Sequence, residues 1–292
     1  WALTERPVGD PAARGALALY RRLRTHVEDP GALVPLGTFF RELADAAPAD
    51  PASAPYAGPV LPCPQPVWEG APGTSTALDD GVFVVAVPGG DVFLRPSALF
   101  DPPRRERAER IGATVREGYL LTVLRRHRDL LDGLARLAAR AAATPVPEGG
   151  YEANPALSAP ELTAEVAAAL GTGTDAAALH LQLLALARPT DRAVRRWNGW
   201  TPARHKAAQA ELLATGAVVA DKRARAGRTL FVPGEWTQAK APHLPVETAK
   251  LAAHVAAASG PALHLPLLRL LAPLPPHELF ARAWAERGAA RA

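Results

Sequence analysis

The feature that most constrains the fold is a series of helix start and stop signals in the second half of the chain. Thr174 and Thr190 each precede a helical stretch, and the second of these ends in Asn-Gly. Thr201 is followed by Pro202, and the third stretch ends at Gly216. Threonine caps helix N-termini, proline suits the first helical turn, and glycine ends helices. This order predicts three short helices, over 174–187, 190–200 and 201–216.

A β-hairpin is predicted directly after the third helix. The stretch "AVVADKRAR" (217–225) is typical of a strand, and "RTLFVPG" (228–234) of its return strand. Ala226-Gly227 between them suits a tight turn. On a pleated strand Arg223 and Arg225 would point to the same face.

Three short helices followed by a hairpin resemble a winged-helix (winged helix-turn-helix) domain. The stretch "ELLATGAVVADKRARAGRTLFVPG" is similar to the end of a recognition helix that runs into the wing. The resemblance covers roughly 175–235, about a fifth of the chain. It implies a third helix that enters the major groove of DNA and a wing that touches the backbone or the minor groove. Winged helices also serve as protein-docking modules, so the fold alone does not decide the function.

Positive charge is concentrated in this segment. Residues 188–228 hold ten Lys or Arg and three acidic residues, a net +7 in 41 residues of a chain whose total is +4. Such a cluster indicates a nucleic-acid or other anionic partner, although a solvated basic face on a scaffold would give the same pattern. The candidate phosphate-binding residues are Arg192, Arg195, Arg196, Arg204, Lys206, Lys222, Arg223, Arg225 and Arg228.

The helical periodicity of 201–216 predicts which face is exposed. With Leu212 buried under the hairpin, His205 and Ala208 share its face and Gln209 lies at the margin. The opposite face then carries Ala203, Ala207, Ala210 and Ala214. If Leu213 is the anchor instead, Gln209 and Lys206 turn inward. Alanine cannot form the paired hydrogen bonds that read bases, so we expect weak base specificity and a grip on phosphates.

Three of the six tryptophans, Trp197, Trp200 and Trp236, lie in or next to the region 175–235 that resembles a winged helix. We interpret them as packing residues that hold the helices and the exit of the wing. The alternative is base stacking on single-stranded nucleic acid.

The remaining sequence predicts a mainly α protein with small β-hairpins (an α+β fold). We expect a helical domain with a proline-rich arm (46–80) and one β-hairpin over 1–145, a linker over 146–160, a winged-helix domain over 161–240 and C-terminal helices over 241–292. Helices are expected at 10–29, 34–47 and 103–143, a hairpin at 81–100, and a helix capped by Ser158.

No motif for catalysis, a cofactor or a metal is present. "GTGTDA" (171–176) matches a dinucleotide-binding glycine pattern, but it follows a predicted helix and is interpreted as a helix stop and start. The eight histidines show no ligand spacing, and Cys63 is the only cysteine. We therefore expect no enzyme, no cofactor and no metal, although catalysis by residues distant in sequence is a third possibility. Membrane spans are not expected because no apolar run reaches the required length.

These features predict a non-enzymatic DNA-binding or regulatory protein that contacts the phosphate backbone. The alternative is an interaction subunit of a larger bacterial assembly, which docks on protein through the winged helix. A lone cysteine indicates a reducing, cytoplasmic compartment. High Ala, Pro and Gly content is typical of a GC-rich bacterial genome, and the start at Trp1 without any Met predicts a fragment or a processed product.

Overall fold

The computed structural model describes residues 4–35, 61–62, 76–79, 81–87, 92–114, 119–237, 246–254, 257–259, 262–264 and 274–289. The chain divides into two compact units, Trp1–Ala18 with Asp132–Ala292, and Leu19–Leu131. This division differs from the predicted boundary at residue 145. One unit combines the N-terminal Trp1–Ala18 with Asp132–Ala292, and local sequence patterns do not indicate such a long-range association.

The unit Leu19–Leu131 contains a five-stranded antiparallel sheet. Its strands are β1 (Val34–Pro35), β2 (Leu61–Pro62), β3 (Thr76–Asp79), β4 (Phe83–Val87) and β5 (Val92–Leu94), in the spatial order β1-β5-β4-β3-β2. The predicted hairpin at 81–100 is confirmed by β4 and β5, which pair antiparallel with Val84 opposite Phe93. Phe83, Val84 and Phe93 are buried in this sheet.

The first three helices of the described chain are α1 (Pro11–Glu28), α2 (Pro102–Thr114) and α3 (Tyr119–Ala142). They confirm the helices predicted at 10–29 and within 103–143. Asp10 caps α1 as expected, because its Oδ1 accepts the Ala12 amide at 2.7 Å. The helix predicted at 34–47 is wrong at its start, where β1 pairs with β5, and residues 36–47 lie outside the described part. Most of the predicted arm at 46–80 also lies outside it, but β3 within the arm pairs with β4.

In the described residues of the other unit there are six further helices: α4 (Pro155–Ser158), α5 (Pro160–Leu170), α6 (Thr174–Ala185), α7 (Asp191–Asn198), α8 (Pro202–Ala214) and α9 (Pro276–Ala289). Helix α6 is central and mainly apolar, with nine buried residues, among them the polar His180 and Gln182, and with contacts to α4, α5, α8 and α9. A helix that is hydrophobic nearly all round is expected to be buried.

The segment predicted as a linker (146–160) is packed instead. Val146, Glu152 and Ala153 are buried. The Glu152 carboxylate accepts from Arg140 Nε at 3.0 Å and from the Thr144 hydroxyl. The proline and glycine content of residues 146–160 reflects a tight turn rather than a flexible linker. Ser158 does not cap α5, since its hydroxyl donates to the Asn154 carbonyl and closes the short α4.

Small hairpins complete this unit: β6 (Val219–Ala220) with β7 (Leu230–Phe231), β8 (Trp236–Thr237) with β9 (Val246–Glu247), and β10 (Ala257–Ser259) with β11 (Ala262–His264). The expectation of C-terminal helices over 241–292 is wrong for the stretch 246–259. That stretch forms β9, a 3-10 helix over Thr248–Ala253, and β10. Ser259 is followed by Gly-Pro in the sequence, a turn signal that outweighs the alanine-rich helical propensity.

The described part is therefore mainly helical with a few small antiparallel strand pairs, as expected. Within the residues that the structure describes, none of the helices combines the length and the apolar character that a membrane crossing requires.

Candidate nucleic-acid interface

Helices α6, α7 and α8 follow one another at the positions that the sequence predicts. The Thr190 hydroxyl accepts the Ala193 amide at 3.2 Å, and the Thr201 hydroxyl accepts the Arg204 amide at 3.2 Å. Gly199 ends α7 with φ +65°, a left-handed conformation that glycine adopts without strain. The cap of α6 differs from the prediction, because Gly173 is the cap and Thr174 is the first helical residue. Side-chain caps thus set where α7 and α8 begin, and Gly199 sets where α7 ends.

An amide pair holds α7 against α6. Asn198 Nδ2 donates to Gln182 Oε1 at 2.9 Å, and Gln182 Nε2 donates to the Ala153 carbonyl at 2.7 Å. Gln182 is fully buried, so these bonds satisfy polar atoms that would otherwise be costly inside the core.

Helix α8 presents the predicted face to solvent. His205, Ala208 and Leu212 are buried and Gln209 is half-buried. The four alanines of the opposite face are all exposed: Ala203, Ala207, Ala210 and Ala214. Leu213 is 40% exposed, so the arrangement in which it would be the buried anchor is excluded.

Three elements meet at a group of residues that we call the junction: Asp191 of α7, Gln209 of α8 and Thr229 of the hairpin. The Asp191 amide donates to the Gly227 carbonyl at 2.9 Å. Gln209 Nε2 lies 3.3 Å from Asp191 Oδ1 and 3.4 Å from Thr229 Oγ1, both long hydrogen bonds. The junction therefore ties the start of α7 and the middle of α8 to the return side of the hairpin.

The hairpin that follows α8, which we call the wing (residues 219–231), is shorter in regular pairing than predicted. β6 ends at Ala220, and the chain turns through Arg223–Ala226, where the Ala226 amide donates to the Arg223 carbonyl. Arg225 has φ +63°. Arg223 and Arg225 are therefore not on one face of a strand. The prediction placed the turn at Ala226-Gly227, two residues too late.

The nine candidate cations fall into three groups. Arg192, Lys206, Lys222 and Arg225 are exposed, and the first three form no ion pair with any described residue. Arg192 neighbours Asp191, Lys206 lies one turn before Gln209, and Lys222 follows Asp221, whose amide donates to the Thr229 carbonyl. In sequence, Arg192 and Lys206 therefore lie within three residues of a junction residue. Lys222 is adjacent to Asp221, which is hydrogen-bonded to the junction residue Thr229.

Two further cations are exposed but paired with carboxylates. Arg196 lies 2.8 Å from Glu5, and its side chain is 47% exposed. Arg204 binds Asp175 through two nitrogens at 2.6 and 2.8 Å. The Asp175 carboxylate raises the pKa of Arg204 further above its ordinary value. Exposed pairs of this kind are weak, typically about 0–1 kcal/mol, and an incoming phosphate can compete for the guanidinium.

The remaining three cations are half-buried or buried. Arg195 Nε donates to the Asp191 carbonyl at 3.2 Å. Arg223 binds Asp221 at 2.7 Å and lies over the Trp236 ring at 4.2 Å. Arg228 is a correction to the predicted site, because its side chain is only 1% exposed and binds Glu247 at 2.7 Å. Arg228 therefore supports the wing and does not belong to its exposed surface.

Glu247 also lies 2.9 Å from Lys250, whose ammonium donates to the Leu186 carbonyl at 3.0 Å. We call Arg228, Glu247 and Lys250 the buried triad. Burial lowers the pKa of Lys250 to about 8, although Glu247 opposes the shift. Burial pushes the pKa of Glu247 up, but the two cations outweigh it and the pKa lies below its usual value. The triad joins the wing to β9 and to the end of α6.

Burial also governs the titration of Asp191 in the junction and of His205 beside it. It raises the pKa of Asp191, against the influence of Arg195 and Arg228. It lowers the pKa of His205, and Arg195 adds to that shift. At neutral pH the Asp191 carboxylate thus lies beside the neutral imidazole of His205, whose Nε2 is 3.8 Å from Asp191 Oδ1.

The tryptophans pack as interpreted from the sequence. Trp197 and Trp200 are 4% and 8% exposed, which excludes base stacking by either. Trp236 is half-buried, and its ring meets that of Phe231 edge-on at 5.2 Å.

Sequence reasoning missed Asp191, Glu247 and Lys250. Glu247 and Lys250 are three residues apart, a spacing that suits an ion pair, but nothing in the sequence shows that Arg228 joins them. Among the residues that the structure describes, His, Cys, Asp and Glu form no group of three that could hold a metal ion.

No protein-family model matches this chain, and neither a curated protein nor a solved structure matches it. The likeness to winged-helix domains therefore rests on the order of the elements alone.

Proposed function

We propose that this protein is a non-enzymatic nucleic-acid-binding protein that holds duplex DNA through its phosphate backbone, with little base specificity. The observation that carries the proposal is the junction. It unites α7, α8 and the wing, and each of these three elements carries, within three residues in sequence of a hydrogen-bonded contact of the junction, an exposed cation that forms no ion pair with a described residue: Arg192, Lys206 and Lys222. Exposed cations on joined elements are what a polyanion-binding surface requires.

The alanine face of α8 supports weak base specificity. Ala203, Ala207, Ala210 and Ala214 are exposed and carry no hydrogen-bonding group. Gln209 is the amide on the margin of this face, and its nitrogen is already directed to Asp191 and Thr229. Small side chains permit close approach to a groove, while affinity comes from charge.

The test is the salt dependence of binding to a short labelled duplex, followed by fluorescence anisotropy. If four or five exposed cations meet phosphates, the log–log slope for the native protein should be roughly −4. The triple variant Arg192→Ala/Lys206→Ala/Lys222→Ala should flatten that slope by about 2.7, which is about 0.9 for each lost contact.

The matched control removes three exposed arginines from α1, as Arg14→Ala/Arg21→Ala/Arg22→Ala, with the same change in net charge. It should retain the native slope. Absence of duplex binding by the native protein at low salt would refute the proposal, and equal loss in both triple variants would reduce it to general charge attraction.

The second candidate function is protein docking through the same face of α8. The observation that favours it is Leu213, an exposed apolar side chain beside the exposed alanines. Ala207→Lys/Ala210→Lys separates the two functions. Added cations should tighten duplex binding about fivefold if this face approaches phosphates. If the face docks on protein, the same variant should leave duplex binding unchanged and should dissociate any assembly seen by light scattering.

A further inference from the structure

The junction contains a carboxylate, that of Asp191, which Arg195 and Arg228 influence electrostatically without forming an ion pair with it. The Asp191 side chain is 32% exposed, and its Oδ1 accepts from Gln209 Nε2 at 3.3 Å. No Lys or Arg of the described chain forms an ion pair with it. Arg195 on the same helix donates to the Asp191 backbone carbonyl instead. By contrast, Asp175, Asp221 and Glu5 each pair with an arginine.

This carboxylate belongs to the junction on which the proposed polyanion-binding surface is built. It is adjacent in sequence to Arg192, and through Gln209 and Thr229 it connects to α8 and the wing. A negative charge amid phosphate-binding cations repels the ligand and lowers its affinity. The hydrogen bonds at this position do not require a charge, because Thr190 already caps α7 and an amide oxygen could also accept from Gln209.

We propose that Asp191 attenuates the affinity of the junction surface for phosphate polyanions, and that acidification relieves this attenuation. The inference rests on the proposed function and adds a regulatory residue to it. Asp191 acts on the ligand through its charge, and Asp191→Asn should therefore increase duplex affinity by about three- to tenfold at neutral pH and low salt.

The pH dependence follows from the surroundings of Asp191. Burial raises its pKa, so it becomes protonated at a higher pH than an ordinary aspartate. The groups that face it are His205 and Gln209 of α8, Arg195 of its own helix, and Arg228 and Thr229 of the wing. The arginines stay charged throughout. His205 gains a proton only below its ordinary range and then adds positive charge in both proteins.

The experiment compares the duplex affinity of native protein and Asp191→Asn from about pH 8 down to the lowest pH at which both proteins stay folded, because burial raises the pKa of Asp191. The ratio of the two affinities should be largest at high pH and should approach one as Asp191 becomes protonated. Glu161→Gln, which removes an exposed charge from α5, is the matched control and should bind as native protein does.

A structural role for Asp191 would give a different result. Loss of a carboxylate from the first turn of α7 should slightly lower the melting temperature, since negative charge favours a helix N-terminus. Tighter binding by a less stable variant therefore reports charge. Asp191→Ala, which also removes the acceptor for Gln209, should tighten binding as well. If Asp191→Asn binds as native protein and Asp191→Ala binds more weakly, the inference is overturned. If neither native protein nor variant binds duplex, the proposed function has failed instead.

Discussion

Cations of one basic segment, residues 188–228, differ sharply in burial. Arg228 lies in the buried triad with Glu247 and Lys250, whereas Arg192, Lys206 and Lys222 are exposed around the junction. Lys222 and Arg228 are only six residues apart. The difference is due to Glu247, 19 residues beyond Arg228, whose buried carboxylate pairs with the Arg228 guanidinium in the core. A count of charge along the sequence therefore overstates the charge at the surface.

The difference also has an energetic consequence. Removing a charge from water is costly unless a partner compensates it, so each member of a buried group depends on the others. An exposed lysine depends on little around it. The comparison thus predicts that equal chemical changes will have very unequal effects in the two groups.

The largest effect is expected from Glu247→Gln. This change leaves Arg228 and Lys250 buried without a carboxylate and should lower the free energy of unfolding by about 3 kcal/mol or more. Chemical denaturation measures it. Glu161→Gln, the same substitution at an exposed position, should stay within about 0.5 kcal/mol of native. Equal effects at the two positions would show that the triad is not the anchor described.

The next effect is a pH dependence of stability that originates in Lys250. Its pKa is about 8 in the folded protein against an ordinary 10.5, so between these values the unfolded chain binds more protons than the folded one. Stability should consequently rise with pH across this window, by on the order of 2–3 kcal/mol.

Lys250→Met isolates this contribution, because it leaves Glu247 paired with Arg228. The difference in unfolding free energy between native protein and Lys250→Met should change across the same window, as measured by denaturation at several pH values. A constant difference would contradict the assignment.

A smaller effect is expected at the turn of the wing. Arg225 has φ +63°, which strains any residue with a β-carbon. Arg225→Gly and Arg225→Ala remove the same side chain, but glycine relieves the strain. Thermal denaturation should find the glycine variant more stable by about 1 kcal/mol. The reverse order would show that the turn adopts another conformation in solution.

The smallest effect on stability is expected at the exposed group. Lys206→Ala should change the free energy of unfolding by no more than about 0.5 kcal/mol. Its duplex affinity should nevertheless fall, with a salt slope flatter by about 0.9. Loss of stability without loss of binding would reverse the contrast between the two groups.

The sequence predicted the parts of the fold that local signals control. The caps Thr190 and Thr201, the stop at Gly216 and the buried face of α8 follow from side-chain chemistry and helical periodicity over a few residues. The predicted exposure of the four alanines on α8 is confirmed for the same reason.

Local signals failed where distant residues decide. Arg228 is typical of a solvated wing residue until Glu247 is brought beside it. The packed segment 146–160 has the composition of a linker, but Arg140 binds the Glu152 carboxylate within it. Likewise, the importance of Asp191 depends on Gln209 and Thr229, which come from elements that the sequence does not pair.

The buried triad has a practical consequence for anyone who excises this region for separate study. A fragment that stops at residue 240 would contain Arg228 but neither Glu247 nor Lys250. The Arg228 guanidinium would then lack its carboxylate partner. Poor expression or precipitation of such a fragment would therefore say nothing about the activity of the parent chain. Excision should retain at least residues 246–254, so that the acidic partner travels with the arginine that needs it.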